Sequence, residues 1–199
     1  MEEEFLIIFV KNPISGKVKT RLATSIGNRK ALKVYEQLLN ITLRVTKKVQ
    51  AFKAVFYSDF IATNDLWDDD SFNKFVQTGK DLGSRMMNAF DQAFALGAKR
   101  VVIIGSDCPE ISPETLEEAF EALTEKDTVV GPAKDGGYYL IGMKKPHPFL
   151  FNKEWSTDTV FEDTLTDLKT NQLSFHLLPQ LTDLDTINDL EPYKKQFGL

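Results

Sequence analysis

The sequence predicts a three-layer α/β/α sandwich around a mainly parallel sheet, with an antiparallel addition at one edge. Strand-like and helix-like segments alternate through the first 130 residues, the pattern of a parallel sheet with helices on both faces. Phe5–Val10 and Arg100–Gly105 are near-continuous apolar runs, as strands buried on both faces require. Toward the end the pattern changes. Asp127–Pro132 and Gly137–Met143 read as strands with no helix between them, which places an antiparallel pairing there.

The elements follow in order. After Phe5–Val10, the segment Arg29–Val49 has helical spacing through Leu32, Tyr35, Leu38, Leu39, Leu43 and Val45. Lys53–Ser58 is a second strand, Asn64–Asp70 is polar and turn-like, and Phe75–Gln77 is a short third strand ending at Thr78-Gly79. Leu82–Leu96 carries Leu82, Met86, Phe90 and Phe94 on one stripe, with Gly97 as its C-terminal stop. Ser112 caps a helix with Pro113 at its first position, running to about Glu125. Thr159 and Glu162 fit a capping box opening a helix to about Leu168. Ser174–Leu178 is a late strand, and Thr186 with Asp189 forms a second capping-box pattern before a C-terminal helix. There is no repeat, linker or low-complexity tract, so residues 1–199 are expected to form a single domain.

Composition narrows the function. A net charge of -5 argues against general nucleic-acid binding or attachment to an anionic membrane. The single cysteine, Cys108, excludes an internal disulfide framework and a cysteine-based zinc cluster. Only His147 and His176 are present, neither in a motif-like segment, so triad hydrolysis and histidine-rich metal sites fit poorly. The acidic start and the short apolar run behind it do not resemble a signal peptide or a membrane helix. A cytoplasmic protein without membrane insertion is the expectation.

Within this acidic chain one stretch is basic. Lys11, Lys17, Lys19 and Arg21 put four cations into eleven residues, around Pro13 and Gly16, directly after the first strand. A strand, a Gly-containing basic loop and a helix start form the arrangement by which α/β proteins hold phosphate. The spacing is neither a P-loop nor a dinucleotide fingerprint, and a solvated basic turn is the alternative.

In open α/β sheets ligands bind beyond the carboxyl ends of the strands. The residues after each strand are therefore the ones to read. Asp107 follows the strongest strand and serves either to hold Mg²⁺ or Mn²⁺ or to satisfy backbone N–H groups in a turn. Gly79, Asp81, Gly83 and Arg85 surround a helix start, where Asp81 caps the helix or Gly83 lets backbone approach a ligand. Asp135, Gly136 and Gly137 read as a hairpin turn or as a second close-approach loop. Asp183-Leu184-Asp185 precedes the last helix, as caps or as metal-binding carboxylates. Trp155 is an aromatic wall for an acceptor or a staple for the helix behind it. Cys108 is a small buried residue rather than a nucleophile, since no base lies beside it in sequence.

Taken together, several of these segments resemble a known set. Lys11-x-Pro13-x-x-Gly16-x-Val18-Lys19-Thr20-Arg21-Leu22, Asp81-Leu82-Gly83-x-Arg85-Met86 and Gly105-x-Asp107-x-Pro109 look like the bacterial family of uncharacterised A-type glycosyltransferase-like proteins. So do Gly131-Pro132-Ala133-x-Asp135-Gly136-Gly137-Tyr138-Tyr139 and Asp183-x-Asp185-Thr186-x-x-Asp189-Leu190. The chain is more distantly similar to 2-phospholactate guanylyltransferase, through a basic loop ending in Lys-x-Arg-Leu. The resemblance implies a nucleotide-diphospho-sugar transferase-like fold, with Mg²⁺ or Mn²⁺ held by Asp107 and, by analogy, Asp185. The chain departs from the usual Asp-x-Asp, having Gly105-Ser106-Asp107, and its first loop is less glycine-rich than in sugar nucleotidyltransferases.

The expected function is a metal-dependent transferase using a nucleotide sugar or a nucleoside triphosphate, with a small-molecule acceptor. Asp107, Lys19 and Arg21 would carry catalysis. Lys11, Gly16, Gly79, Asp81, Gly83, Arg85, Asp135, Gly136, Gly137 and Trp155 would bind substrate. A nucleotide-binding module without catalysis is the alternative.

Overall fold

A computed structural model describes residues 3–198. The sheet has seven strands: β1 (Glu4–Val10), β2 (Phe52–Tyr57), β3 (Asn73–Val76), β4 (Arg100–Ile104), β5 (Thr128–Pro132), β6 (Tyr138–Met143) and β7 (Phe175–Leu177). The helices are α1 (Thr20–Ile26), α2 (Asn28–Thr46), α3 (Leu82–Ala95), α4 (Pro113–Glu125), α5 (Val160–Thr170) and α6 (Ile187–Leu190). The spatial order is β3-β2-β1-β4-β6-β5-β7. The expected adjacency of the first strand and the Arg100 strand holds, with Phe5 opposite Val101 and Ile8 opposite Ile104.

Alternation along β1 splits the core into two layers. Leu6, Ile8 and Val10 face a cluster with Tyr35 and Leu39 of α2 and Leu116 and Phe120 of α4. Phe5, Ile7 and Phe9 face a cluster with Met86 and Phe90 of α3 and Leu168 of α5. A strand with both faces covered by helices has no room for polar side chains, which is why β1 reads as an unbroken apolar run.

The antiparallel pairings lie in the half of the sheet toward β7. Only β6 runs against its neighbours, bonded to β4 on one side and β5 on the other, while β7 at the edge is parallel to β5. The hairpin signal located this pairing, but the insertion of β6 between β4 and β5 is long-range and has no local signature.

One local expectation is corrected. Thr159 precedes α5 but makes no capping bond to a backbone N–H; its hydroxyl donates to Asp163 Oδ2 at 2.9 Å instead. Thr159 has helical backbone angles, and a cap needs the extended ones. The expected C-terminal helix is present behind its Thr186–Asp189 capping box, four residues long before a 3₁₀ turn at Glu191–Tyr193. Pro192 follows it and cannot supply the next backbone donor. Among the described residues no helix is long and apolar enough to cross a membrane.

Candidate functional site

Chain order reverses at β1. The chain moves outward through β2 and β3, then returns to place β4 on the other side of β1. The two loops leaving the carboxyl ends of β1 and β4 therefore diverge and leave a crevice, where open α/β sheets bind ligands. One loop is the basic stretch and the other carries Asp107.

Tyr35 of α2 ties these loops together from below. Its buried hydroxyl accepts the Lys11 N–H at 2.7 Å and lies 3.1 Å from Ser106 Oγ. Burial and the nearby Asp107 charge push its phenol well above the ordinary range, so it stays a neutral bridge.

Lys19, expected from the sequence to act on phosphate, already has an internal partner. Its side chain is only 3% exposed and its Nζ lies 2.7 Å from Asp107 Oδ1. The cation is the buried partner, whereas Asp107 is 43% exposed and faces the crevice. Lys19 reaches it from a left-handed backbone, φ 48° and ψ 45°, immediately before α1. Arg21, two residues on in the first turn of α1, is 69% exposed and also paired, its Nη1 donating to Asp185 Oδ2 at 3.3 Å. The basic loop thus meets both carboxylates expected to hold a metal.

Two contacts bring Asp185 there. The Leu184 N–H donates to the Asp107 carbonyl at 2.9 Å. Leu184 packs in a separate apolar cluster with Leu22 of α1, Leu38 of α2, Leu190 and Phe197. Capping of α6 falls to Thr186 and Asp189. The Asp189 carboxylate accepts the N–H groups of Asp185 and Thr186 at 3.1 and 2.7 Å. The side chains of Asp183 and Asp185 are left for other uses.

Asp183 was read only as part of the Asp-x-Asp pattern, yet it is the most perturbed acid of the site. Its carboxyl is pushed up to about 7, first by burial and then by Asp107 and Asp135, with Lys19 acting in the opposite direction. The carboxylates of Asp107, Asp135 and Asp185 therefore all lie within electrostatic reach of Asp183. Hard oxygen donors only partly offset by Lys19 and Arg21 suit a hard divalent cation. Among the described residues no three His, Cys, Asp or Glu side chains form a ready-made metal cage.

The other expected site residues make contacts of their own. Asp81 caps α3, its Oδ1 accepting the Ser84 N–H at 2.7 Å, and these bonds hold its carboxyl below the usual range. Arg85 donates to the Gly79 carbonyl at 3.2 Å and to Gln77 Oε1 at 3.4 Å. Gln77 in turn donates to the Val10 and Phe56 carbonyls, so Arg85 braces the ends of β1 and β2. Gly83 is close to something, but that is Trp155: a Cβ there would sit 2.3 Å from the indole Nε1. Trp155 itself is half-buried, stacked on Phe151 and edge-on to Tyr138. A Cβ on Gly136 would meet the Asp158 carbonyl oxygen at 2.0 Å, so that glycine also accommodates the chain's own backbone. Asp135 accepts the Gly137 N–H at 2.9 Å in a tight turn. Gly16 and Lys11 are exposed on the loop. Cys108 is buried and its thiol pushed up to about 12, which leaves it unreactive as a nucleophile.

Sequence reading missed Asn12. Only 3% exposed, it accepts from the Asp59 and Phe60 N–H groups through Oδ1 and donates to the Phe60 carbonyl at 2.9 Å. It clamps the loop after β2 onto the loop after β1. A polar residue beside Pro13 is the only local signal, and it does not distinguish a clamp from an ordinary turn. Asn12→Ala would strand several backbone groups, and we expect a loss of about 1–3 kcal/mol in urea unfolding. An unchanged midpoint would show that water replaces those bonds.

The family model described as "Uncharacterized protein conserved in bacteria (DUF2064)" matches residues 41–157. The chain belongs to that family. Among solved structures, this DUF2064 member is similar to a candidate nucleotide-diphospho-sugar transferase of Desulfovibrio desulfuricans G20. The two are 35% identical, covering 98% of this chain and 88% of the other, with a TM-score of 0.90. The fold is shared with 4-diphosphocytidyl-2C-methyl-D-erythritol synthase of Anaerococcus prevotii DSM 20548, at 10% identity, TM-score 0.63 and coverage of 100% and 97%. It is shared too with Rv0371c of Mycobacterium tuberculosis H37Rv in complex with manganese, at 14% identity, TM-score 0.57 and coverage of 100% and 99%. No curated protein matches the DUF2064 chain.

Proposed function

We propose that the chain is a divalent-metal-dependent transferase acting on a nucleoside triphosphate or a nucleotide sugar, by nucleotidyl or glycosyl transfer to a small-molecule acceptor. One observation carries this reading. Lys19 and Arg21 from the loop after β1 meet Asp107 and Asp185 where the strand order reverses. Cations for phosphate and carboxylates for a metal then converge on one crevice, as phosphoryl and glycosyl transfer both require. The names of the fold neighbours, an inositol-1-phosphate CTP transferase and a manganese complex among them, agree with it.

Asp107 and Asp185 would hold Mg²⁺ or Mn²⁺, with Asp183 beside them. When bound, the ion neutralises charge on a diphosphate and polarises the phosphorus or the departing oxygen. Arg21, Lys11 and Lys19 offset the remaining phosphate charge and orient the donor. The Tyr35 bridge and the Asn12 clamp keep the three loops in register. In this reading residues 1–199 act as one nucleotide-binding domain.

The test is a thermal-shift screen with CTP, UTP, GTP, ATP and UDP-glucose, each with and without MgCl₂ or MnCl₂. A ligand at about a hundred times its Kd adds about 2.7 kcal/mol. For a domain of this size that corresponds to a rise of about 5–10 °C. If no nucleotide moves the transition under any metal condition, the reading fails.

Arg21 gives a sharper check. The Arg21–Asp185 pair is exposed, so Arg21→Ala should change stability by less than about 1 kcal/mol. Loss of a charge-assisted contact to phosphate should weaken nucleotide binding by about 1.5–3 kcal/mol. Melting temperature and affinity measured on one sample separate these effects. A large stability loss with unchanged affinity would remove the loop from the site.

A further inference from the structure

Lys19 combines two unfavourable features. Its left-handed backbone, φ 48°, is strained for a residue with a Cβ. Its ammonium is buried and touches Asp107 at 2.7 Å, and among the described residues it has no other polar partner, so at least two of its three N–H donors are unused. A buried cation with unused donors is costly. Strain and an unsatisfied cation on one residue at the mouth of a crevice point to a role beyond folding.

The carboxylates show what that role is. Asp107 lies within electrostatic reach of Asp183, and so do Asp135 and Asp185. Lys19 is the buried cation of this group, whereas Arg21 is largely in solvent and bonded to Asp185 from outside. A divalent ion arriving alone meets the Lys19 charge. An anion arriving alone meets the carboxylates. A metal and a phosphate arriving together satisfy both, because phosphate oxygens can accept the unused Lys19 donors.

We propose that Lys19 is a built-in counter-cation that weakens metal binding in the free protein and makes metal and phosphate bind with positive coupling. This rests on the metal-dependent reading given above. The coupling is reciprocal: whatever Lys19 subtracts from metal affinity in the free protein, a bound phosphate group restores. The site would then load the metal–nucleotide pair in preference to either component and resist filling by free metal.

The experiment measures Mn²⁺ binding by calorimetry, with no nucleotide present, on the wild-type chain, Lys19→Met and Lys19→Gly. Methionine keeps the length of the side chain without its charge. Glycine suits the left-handed backbone and guards against a variant that fails to fold. The expected result is that both neutral variants bind Mn²⁺ tighter than wild type, by a factor of about 5–150, the usual span of such couplings. Inorganic phosphate, a weak chelator of Mn²⁺, should tighten Mn²⁺ binding to the wild type and leave the variants unchanged. If wild type and variants bind Mn²⁺ equally, or the variants bind it more weakly, the counter-cation role is overturned while the metal site stands. If no form binds Mn²⁺ with or without phosphate, the metal site itself is wrong and the inference falls with it.

Discussion

Asp107→Asn is expected to abolish metal-dependent nucleotide binding and to lower stability by about 2–4 kcal/mol. The first effect follows from removing an anionic oxygen donor at the mouth of the crevice. The second follows from Lys19, which is 3% exposed and has its closest counter-charge in Asp107, 2.7 Å away. Breaking a buried pair by removing one partner costs about 3–5 kcal/mol, because the other charge is left uncompensated. The value is lower here because Asp107 is partly solvated and Asp183 still offsets some of the Lys19 charge. Asp107→Asn/Lys19→Met should recover most of the stability without recovering metal binding. Urea unfolding and Mn²⁺ calorimetry on the three proteins test this. A single variant that loses stability yet binds metal normally would make Asp107 a structural partner of Lys19 only.

Leu184→Ala carries the other large effect. Leu184 is fully buried between two site carboxylates, in the cluster with Leu22, Leu190 and Phe197. Truncating a buried leucine to alanine costs about 2–5 kcal/mol, depending on how far the site collapses. The loss should not stop at stability. The same side chain seats Asp183 and Asp185 against the loop that holds Lys19 and Arg21, so nucleotide affinity should fall as well, under conditions where the variant is fully folded. Leu123→Ala, in the α2–α4 layer, is a control of similar burial. It should destabilise comparably and leave affinity unchanged in the folded protein. Equal affinity losses in the two variants would mean that Leu184 acts through global stability alone.

The strands and long helices were legible because each is set by local pattern. Phe5–Val10 is apolar on both faces, Ser112-Pro113 caps a helix and Asp81 caps another, and each signal needs only a few neighbouring residues. The roles of the glycines were not legible. Gly83 and Gly136 signal close approach, but the approaching groups, Trp155 and Asp158, come from more than twenty residues away in sequence, and only the folded chain identifies them. Asn12 was missed for the same reason, since its partners on the loop after β2 are brought in by the parallel pairing of β1 with β2.

For the site, residue types and their position after strands were enough to single out the basic loop, Asp107 and the Asp-x-Asp segment. Chemistry at a strand end depends on side chains that a single sequence displays. What the tertiary structure decided was charge compensation. It buried Lys19 against Asp107, left Arg21 in solvent against Asp185, and set Asp183 among three other carboxylates. A sequence lists charges without their distances or their exposure. Both enter the Coulomb and desolvation energies directly, so whether a lysine is a free phosphate ligand or an internal counter-ion is settled only when the chain folds.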